Sequence, residues 1–269
     1  MERFDASFQQ FTLILARLIG LVFIAPIFNA DMITYRLRLV IAFLISIVIF
    51  PVASRYLPPL PHHPIELALM AGGQALIGVI IGFMITVIFA AFQISGEIFS
   101  VQAGISFSEV LDPQSQQSMP IIGTLKNMIG LLLFLTVDFD IDGVYVPAFQ
   151  HMIRAVALSF QFVPQLVPDD RIMNGLLSYM DQTFGAMFLT ALKIGIPVVG
   201  ILFISSVALG LLGRAAPQMN LMNMGIQINI IVGLLLLLTL MPVLMPIMSQ
   251  SFHIMFDRVG DMMRTWPRT

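Results

Sequence analysis

A chain of 269 residues in which 58% are hydrophobic and only 10% charged holds more apolar surface than a soluble core can hide, and its mean hydropathy of +0.94 places it in a membrane. A net charge of -2, with 13 lysines and arginines that form no stripe, excludes a nucleic-acid-binding surface. The absence of cysteine excludes a disulfide framework, a thiolate nucleophile and a cysteine-ligated metal.

The N-terminal Met-Glu-Arg-Phe-Asp-Ala leads into apolar sequence without a small-residue cleavage site, so it reads as a retained first helix. A template of ~20 apolar residues per membrane span predicts helices over residues 11–28, 39–53, 65–92, 121–137, 184–212 and 228–248. The expected fold is therefore all-α: a polytopic helical membrane protein, with residues 1–269 forming a single domain. The second helix is short and carries Pro51. The third and fifth are long enough to tilt strongly or to rise beyond the bilayer. Pro58-Pro59-Leu60-Pro61-His62-His63-Pro64 is a stiff extended connector, because each proline disfavours helix in the residue before it.

With six spans, Arg3, Arg55, Arg154, Arg171, Arg258, Arg264 and Arg268 fall on one side of the membrane and Arg36, Arg38 and Arg214 on the other. That asymmetry makes both termini cytoplasmic. The segment around Val156 to Val163 is itself apolar and can hold a further element; an extra crossing there would overturn the count.

In the third helix, Gly78 and Gly82 form a GxxxG pair that lets another helix approach closely, either in a neighbouring subunit or within the chain. Further along, Gln93, Glu97, Ser100 and Gly104 share one helical face at spacings of four, three and four. Such a polar stripe suits a water-facing lumen or hydrogen bonds between helices. The following segment, polar and rich in glutamine, passes through the turn-forming Asp112-Pro113 to Met119-Pro120. It is long enough to plug a pore, or it is an ordinary external loop.

Arg17, Lys126 and Lys193 lie in or beside spans with no carboxylate at helical spacing. Snorkelling to the interface, or a salt bridge at a subunit interface, is expected of them ahead of a proton relay. His62, His63, His151 and His253 match no metal-binding pattern. Asp138-Phe-Asp140-Ile-Asp142-Gly143 opens like a calcium loop but has Phe149 where the twelfth position requires a bidentate Glu, so it is expected to be an acidic surface turn closing the fourth helix. Methionine is abundant at 19 and clusters in the last third, where its flexible thioethers suit either a deformable seal or irregular packing.

Two blocks carry a family resemblance. Gln102-Ala-Gly104-Ile-Ser106-Phe107-Ser108 with Asp112-Pro113, and later Gly213-Arg214-Ala-Ala-Pro217-Gln218-Met219-Asn220 running into Gly225, resemble the FliR family of flagellar export-gate proteins and its injectisome homologues, the SctT family. The resemblance covers nearly the whole chain. It implies a non-enzymatic subunit, without cofactor or metal, of the export gate in the bacterial inner membrane at the flagellar basal body. That subunit assembles with FliP and FliQ, contacts FlhB, and helps enclose a helical, pseudo-symmetric channel for unfolded export substrates.

By the same resemblance, Ser106, Phe107, Ser108, Glu109, Asp112, Pro113, Gln114, Met119 and Pro120 belong to a loop plugging the closed pore. Gln93, Glu97, Ser100 and Gly104 then fit a lumen-facing stripe, and Arg214, Pro217, Gln218 and Asn220 the turn of a C-terminal helical hairpin. Arg214 there caps the preceding helix, orients the turn or meets an acid on a neighbour, a structural role ahead of substrate contact. Gly225-Ile226-Gln227 departs from the Gly-Phe-Pro of many relatives. Two other readings are a virulence-type export subunit and a stand-alone secondary transporter built around Glu97 and Lys193.

Overall fold

A computed structural model describes residues 2–28, 33–58, 60–61, 63–104, 121–141, 144–165, 170–215 and 221–265. Among them are seven helices: α1 (Glu2–Ile24), α2 (Tyr35–Ala53), α3 (Pro64–Ala103), α4 (Ile121–Thr136), α5 (Ala148–Phe162), α6 (Asp170–Ala215) and α7 (Leu221–Thr265). A single antiparallel hairpin, β1 (Asp138–Ile141) with β2 (Val144–Pro147), joins α4 to α5 in register Asp138↔Pro147. Apart from that hairpin the described residues are all-α. Five helices are long and apolar enough to cross a membrane: those within 6–24, 35–56, 64–103, 177–215 and 224–264.

Three expectations change. α3, α6 and α7 have 40, 46 and 45 residues, about 60–70 Å at ~1.5 Å per residue, twice the hydrocarbon thickness. An apolar template finds only part of each, because more polar turns continue α3 past 92, α6 before 184 and α7 at both ends. α4, at 16 residues, falls short of the ~20 needed to span. The arginine count that assumed six crossings therefore fixes no orientation.

The acidic run at Asp138 opens a strand, not a turn. Its alternation of acidic and apolar residues has the two-residue period of a strand, a signal hidden by the resemblance to a calcium loop. The apolar stretch before Val163 does hold a further element, α5, whose buried Ala148, Met152, Val156, Ser159 and Phe160 recur at helical spacing.

The chain groups into two units, each assembled from separated segments. The first comprises Met1–Val87, Val137–Phe184 and His253–Thr269. In it α1 and α2 form an antiparallel pair, with Phe11 against Phe43 and Phe50 at one end and Phe23 against Tyr35 at the other. α2 buries only Ala42, Ser46, Ile49 and Ala53, a narrow stripe at i, i+4, i+7 and i+11. α1 meets α3 through glycines. A Cβ at Gly20 would overlap the Ala75 carbonyl oxygen, one at Gly78 the Arg17 carbonyl oxygen, and one at Gly82 would stand 3.0 Å from the Leu21 oxygen. Side chains of Leu13, Ile14, Leu18, Leu21 and Val22 fill the contact and are all but inaccessible. Helices in lipid gain little hydrophobic free energy on association, so this close backbone approach is what favours the contact.

The second unit comprises Ile88–Thr136 and Gly185–Phe252. At one end Phe89, Phe92, Phe134 and Phe252 pack mostly edge-to-face, with ring centroids 5.4–6.1 Å apart. Gly130 permits it, since a Cβ there would stand 2.5 Å from the Phe92 ring. At the other end Phe99 and Ala103 of α3 join Val198, Leu202 and Leu237 in a buried cluster.

Candidate functional site

The polar stripe on α3 divides in two. Gln93 is exposed and its Nε2 donates to Glu97 Oε1 at 3.2 Å. Ser100 is 2% exposed, with no hydrogen-bond partner for its Oγ. α3 stops at Ala103 because Gly104 adopts φ +79 and its N–H turns back to the Val101 carbonyl at 3.1 Å. Only glycine enters that left-handed region without steric cost. A Cβ at Gly104 would also come within 3.4 Å of Ile226, so the glycine both ends the helix and admits α7. Residues 106–120, with every residue assigned to the plug, lie outside the described residues. Pro217, Gln218 and Asn220 do too. Arg214 is exposed in the last turn of α6, where a cation complements the negative end of the helix dipole.

Gly78 and Gly82 pack within the chain, against α1. The intrachain alternative for the GxxxG pair is the one the structure adopts.

Arg17 overturns an expectation. It does not snorkel, and among the described residues it meets no acid: it is fully buried in the first unit, where its described partners are neutral acceptors. Its Nε donates to Gln74 Oε1 at 2.8 Å, Nη1 to Ser159 Oγ at 2.7 Å, and Nη2 to the Val163 carbonyl at 2.7 Å and again to Gln74. The guanidinium carbon lies 3.8 Å from the Phe160 ring centroid, a cation–π geometry. Gln74 Nε2 in turn donates to the Pro164 carbonyl at 2.6 Å. One arginine thus ties α1 to α3, α5 and the turn after α5. None of its partners was predicted. The available signal was Gln74 itself, an amide in the middle of an apolar helix, where it must find a partner.

Lys126, in the second unit, is also buried and does not snorkel. Its Nζ contacts Ser95 Oγ and the Ser95 carbonyl at 3.3 and 3.4 Å, long for charge-assisted bonds. Lys193 is exposed on α6.

The two long helices that enter the second unit form a hairpin locked by polar side chains near its turn. Ser205 Oγ donates to Asn229 Oδ1 at 2.8 Å, and Asn229 Nδ2 donates to Ser206 Oγ at 3.0 Å. An open groove of about 350 Å³ beside this lock is lined by Leu209, Gly210, Gly213, Gly225 and Ile226. Much of the rest of the hairpin is bare. In its most apolar stretch α3 has 61% of residues buried, against 22% for α6 and 17% for α7, so the chain leaves most of the hairpin for other molecules to cover.

Long apolar helices with an uncovered face, and most buried polar groups bonded to one another inside, define a polytopic helical membrane protein. The family of bacterial export proteins, family 1, matches residues 8–255. The chain belongs to that family, and the match runs through both units. It is similar to the flagellar biosynthetic protein FliR of Pectobacterium carotovorum subsp. carotovorum, 28% identical over 95% of this chain and 93% of that protein. It is likewise similar to the FliR proteins of Escherichia coli K12, at 28% over 94% and 92%, and Bacillus subtilis 168, at 27% over 95% of each chain.

Proposed function

We propose that this protein is the FliR-type subunit of the flagellar export gate in the bacterial inner membrane. It works without catalysis, joining FliP, FliQ and FlhB around a channel for unfolded flagellar proteins. The observation that carries this reading is the bare α6–α7 hairpin, at 22% and 17% burial, in a chain aligned nearly end to end with FliR proteins. A helix of 45 residues, twice the length a bilayer can cover, needs protein neighbours over its remaining length. Residues 106–120 form the plug in this proposal, set between α3 and α4 in chain order. The exposed Gln93 and half-buried Glu97 line the path beside it.

Copurification of the tagged chain from cells coexpressing FliP and FliQ, followed by native mass spectrometry, tests the assembly. A stable complex with both is expected, and a monodisperse chain without partners would sink the proposal. Deleting residues 106–120 should leave the complex intact and leak ions in planar bilayers. Unchanged closed-state conductance would remove the plug.

A further inference from the structure

We infer that the first unit holds one acyl chain of a membrane phospholipid, in a narrow apolar cavity bordered by α1, α3 and the segments of α6 and α7 that belong to that unit. The site is internal to the unit and requires no helix to face a bilayer. It rests on the membrane class of the chain, not on export.

The cavity has a volume of about 310 Å³, and no polar atom faces into it. One wall is α3, where Leu76, Ile80 and Met84 recur every four residues on one helical face. Met180 and Thr183 of α6, Met262 of α7 and Ile24 at the end of α1 complete the lining. Thr183 keeps its hydroxyl on its own helix, donating to the Tyr179 carbonyl at 2.6 Å. A ligand that must be hydrogen-bonded loses its partners in such a space, and water lacks the polar contacts that would hold it. Left empty, the lining forfeits its dispersion contacts, so hydrocarbon is the filling that these walls favour.

Shape selects which hydrocarbon. The wall from Leu76 to Met84 covers about 12 Å at ~1.5 Å per residue. The cavity therefore has a mean cross-section of about 26 Å², against ~80 Å² for a helix about 10 Å across. A partner's helix does not enter, and one protruding apolar side chain is too short for the length. An unbranched acyl chain suits both dimensions. Near one end the Phe83 ring meets Phe184 edge-to-face at 5.7 Å; at the other Leu76 is 47% exposed and marks the entrance. Met84, Met180 and Met262 give the wall unbranched, adaptable side chains.

Photolabelling tests the site. The full chain is purified in mild detergent with whatever partners it retains. Phosphatidylethanolamine carrying a diazirine midway along one acyl chain is added, the sample is irradiated, and adducts are mapped by peptide mass spectrometry. Adducts on Leu76, Ile80, Met84, Met180 and Met262 that saturate and disappear with excess unlabelled phosphatidylethanolamine are expected, a result that needs no variant. Leu76→Trp at the entrance and Val79→Phe in the lining should each lower them roughly tenfold, since an apolar pocket discriminates at that level against a few excess methylenes. Adducts on exposed Val48 and Leu132 should not change. Cavity adducts that are missing, that never saturate, or that persist in both variants would overturn the inference. A cooperative thermal transition shows that a variant folds.

Discussion

The α1–α3 contact and the α6–α7 hairpin are written in nearly the same alphabet, yet the protein uses them in opposite ways. In the first, glycines bring backbones together, and an arginine is sealed among neutral acceptors with its charge spread over Gln74, Ser159, Val163 and the Phe160 ring. In the second, most of the apolar surface is left uncovered and a lock of two serines and an asparagine joins the helices near their turn. Small residues and polar partners, not hydrophobicity, separate the two. Hydrophobicity cannot distinguish protein from lipid as a neighbour, because both are apolar.

The largest effect should come from Gly78→Leu. The new side chain begins inside the Arg17 carbonyl, so the helices must part, at more than the ~1–3 kcal/mol of ordinary overpacking. Gly72, with nothing within 4 Å, should accept Leu on the same helix. Detergent-extracted yield and thermal unfolding separate the two variants, and equal behaviour would refute the close approach.

Next comes the arginine cage. Gln74→Leu removes the acceptor of two guanidinium N–H groups and strands a buried charge, an expected loss of ~3–5 kcal/mol. Ser159→Ala, which removes one acceptor, should cost ~1.5–3 kcal/mol. Thermal or denaturant unfolding in detergent should rank them in that order.

Smaller again is Asn229→Leu, which breaks both bonds of the hairpin lock. Interhelical hydrogen bonds in membranes contribute about 0.6–1.7 kcal/mol, and a double-mutant cycle with Ser205→Ala reads the coupling directly. A loss comparable to that of Gln74→Leu would contradict the contrast between the two regions.

The smallest effect is pH-dependent. His151, on α5 and edge-to-face with Phe256 at 4.7 Å between ring centroids, has a pKa held below the ordinary 6.5 by burial, then by Arg154 and His253, with Asp257 opposing. The unfolded chain takes up its proton first as pH falls, so this contribution to stability is complete above about pH 6.5 and fades below it. His151→Phe should flatten the stability profile between pH 7.5 and 5.5 in thermal unfolding, while leaving the hairpin lock untouched.

The membrane class, the helical fold and the family were legible in the chain because each rests on composition or on contiguous motifs. The positions of the membrane helices were legible as well, since a run of apolar residues is a local property. Their true lengths were not, because the polar turns that extend α6 and α7 look like loop to an apolar template. α5 was only hinted at, as its 15 residues carry a helical period too short for a span. At the candidate site, Gly104 was visible as a motif residue, but its left-handed turn and its contact with Ile226 bring together residues more than a hundred positions apart.

The sequence by itself determined that this protein lies in a membrane, is built of helices and belongs with the export proteins, because hydropathy and motif order survive without knowledge of contacts. Only the tertiary structure decided what each buried polar group is for. Arg17 and Lys126 read alike in the chain, as cations in apolar helices. One became the hub of a four-part network and the other a weakly bonded lysine. Separations of 57 and 142 residues between Arg17 and its partners Gln74 and Ser159 leave no periodic trace, and packing alone brings those acceptors to the charge.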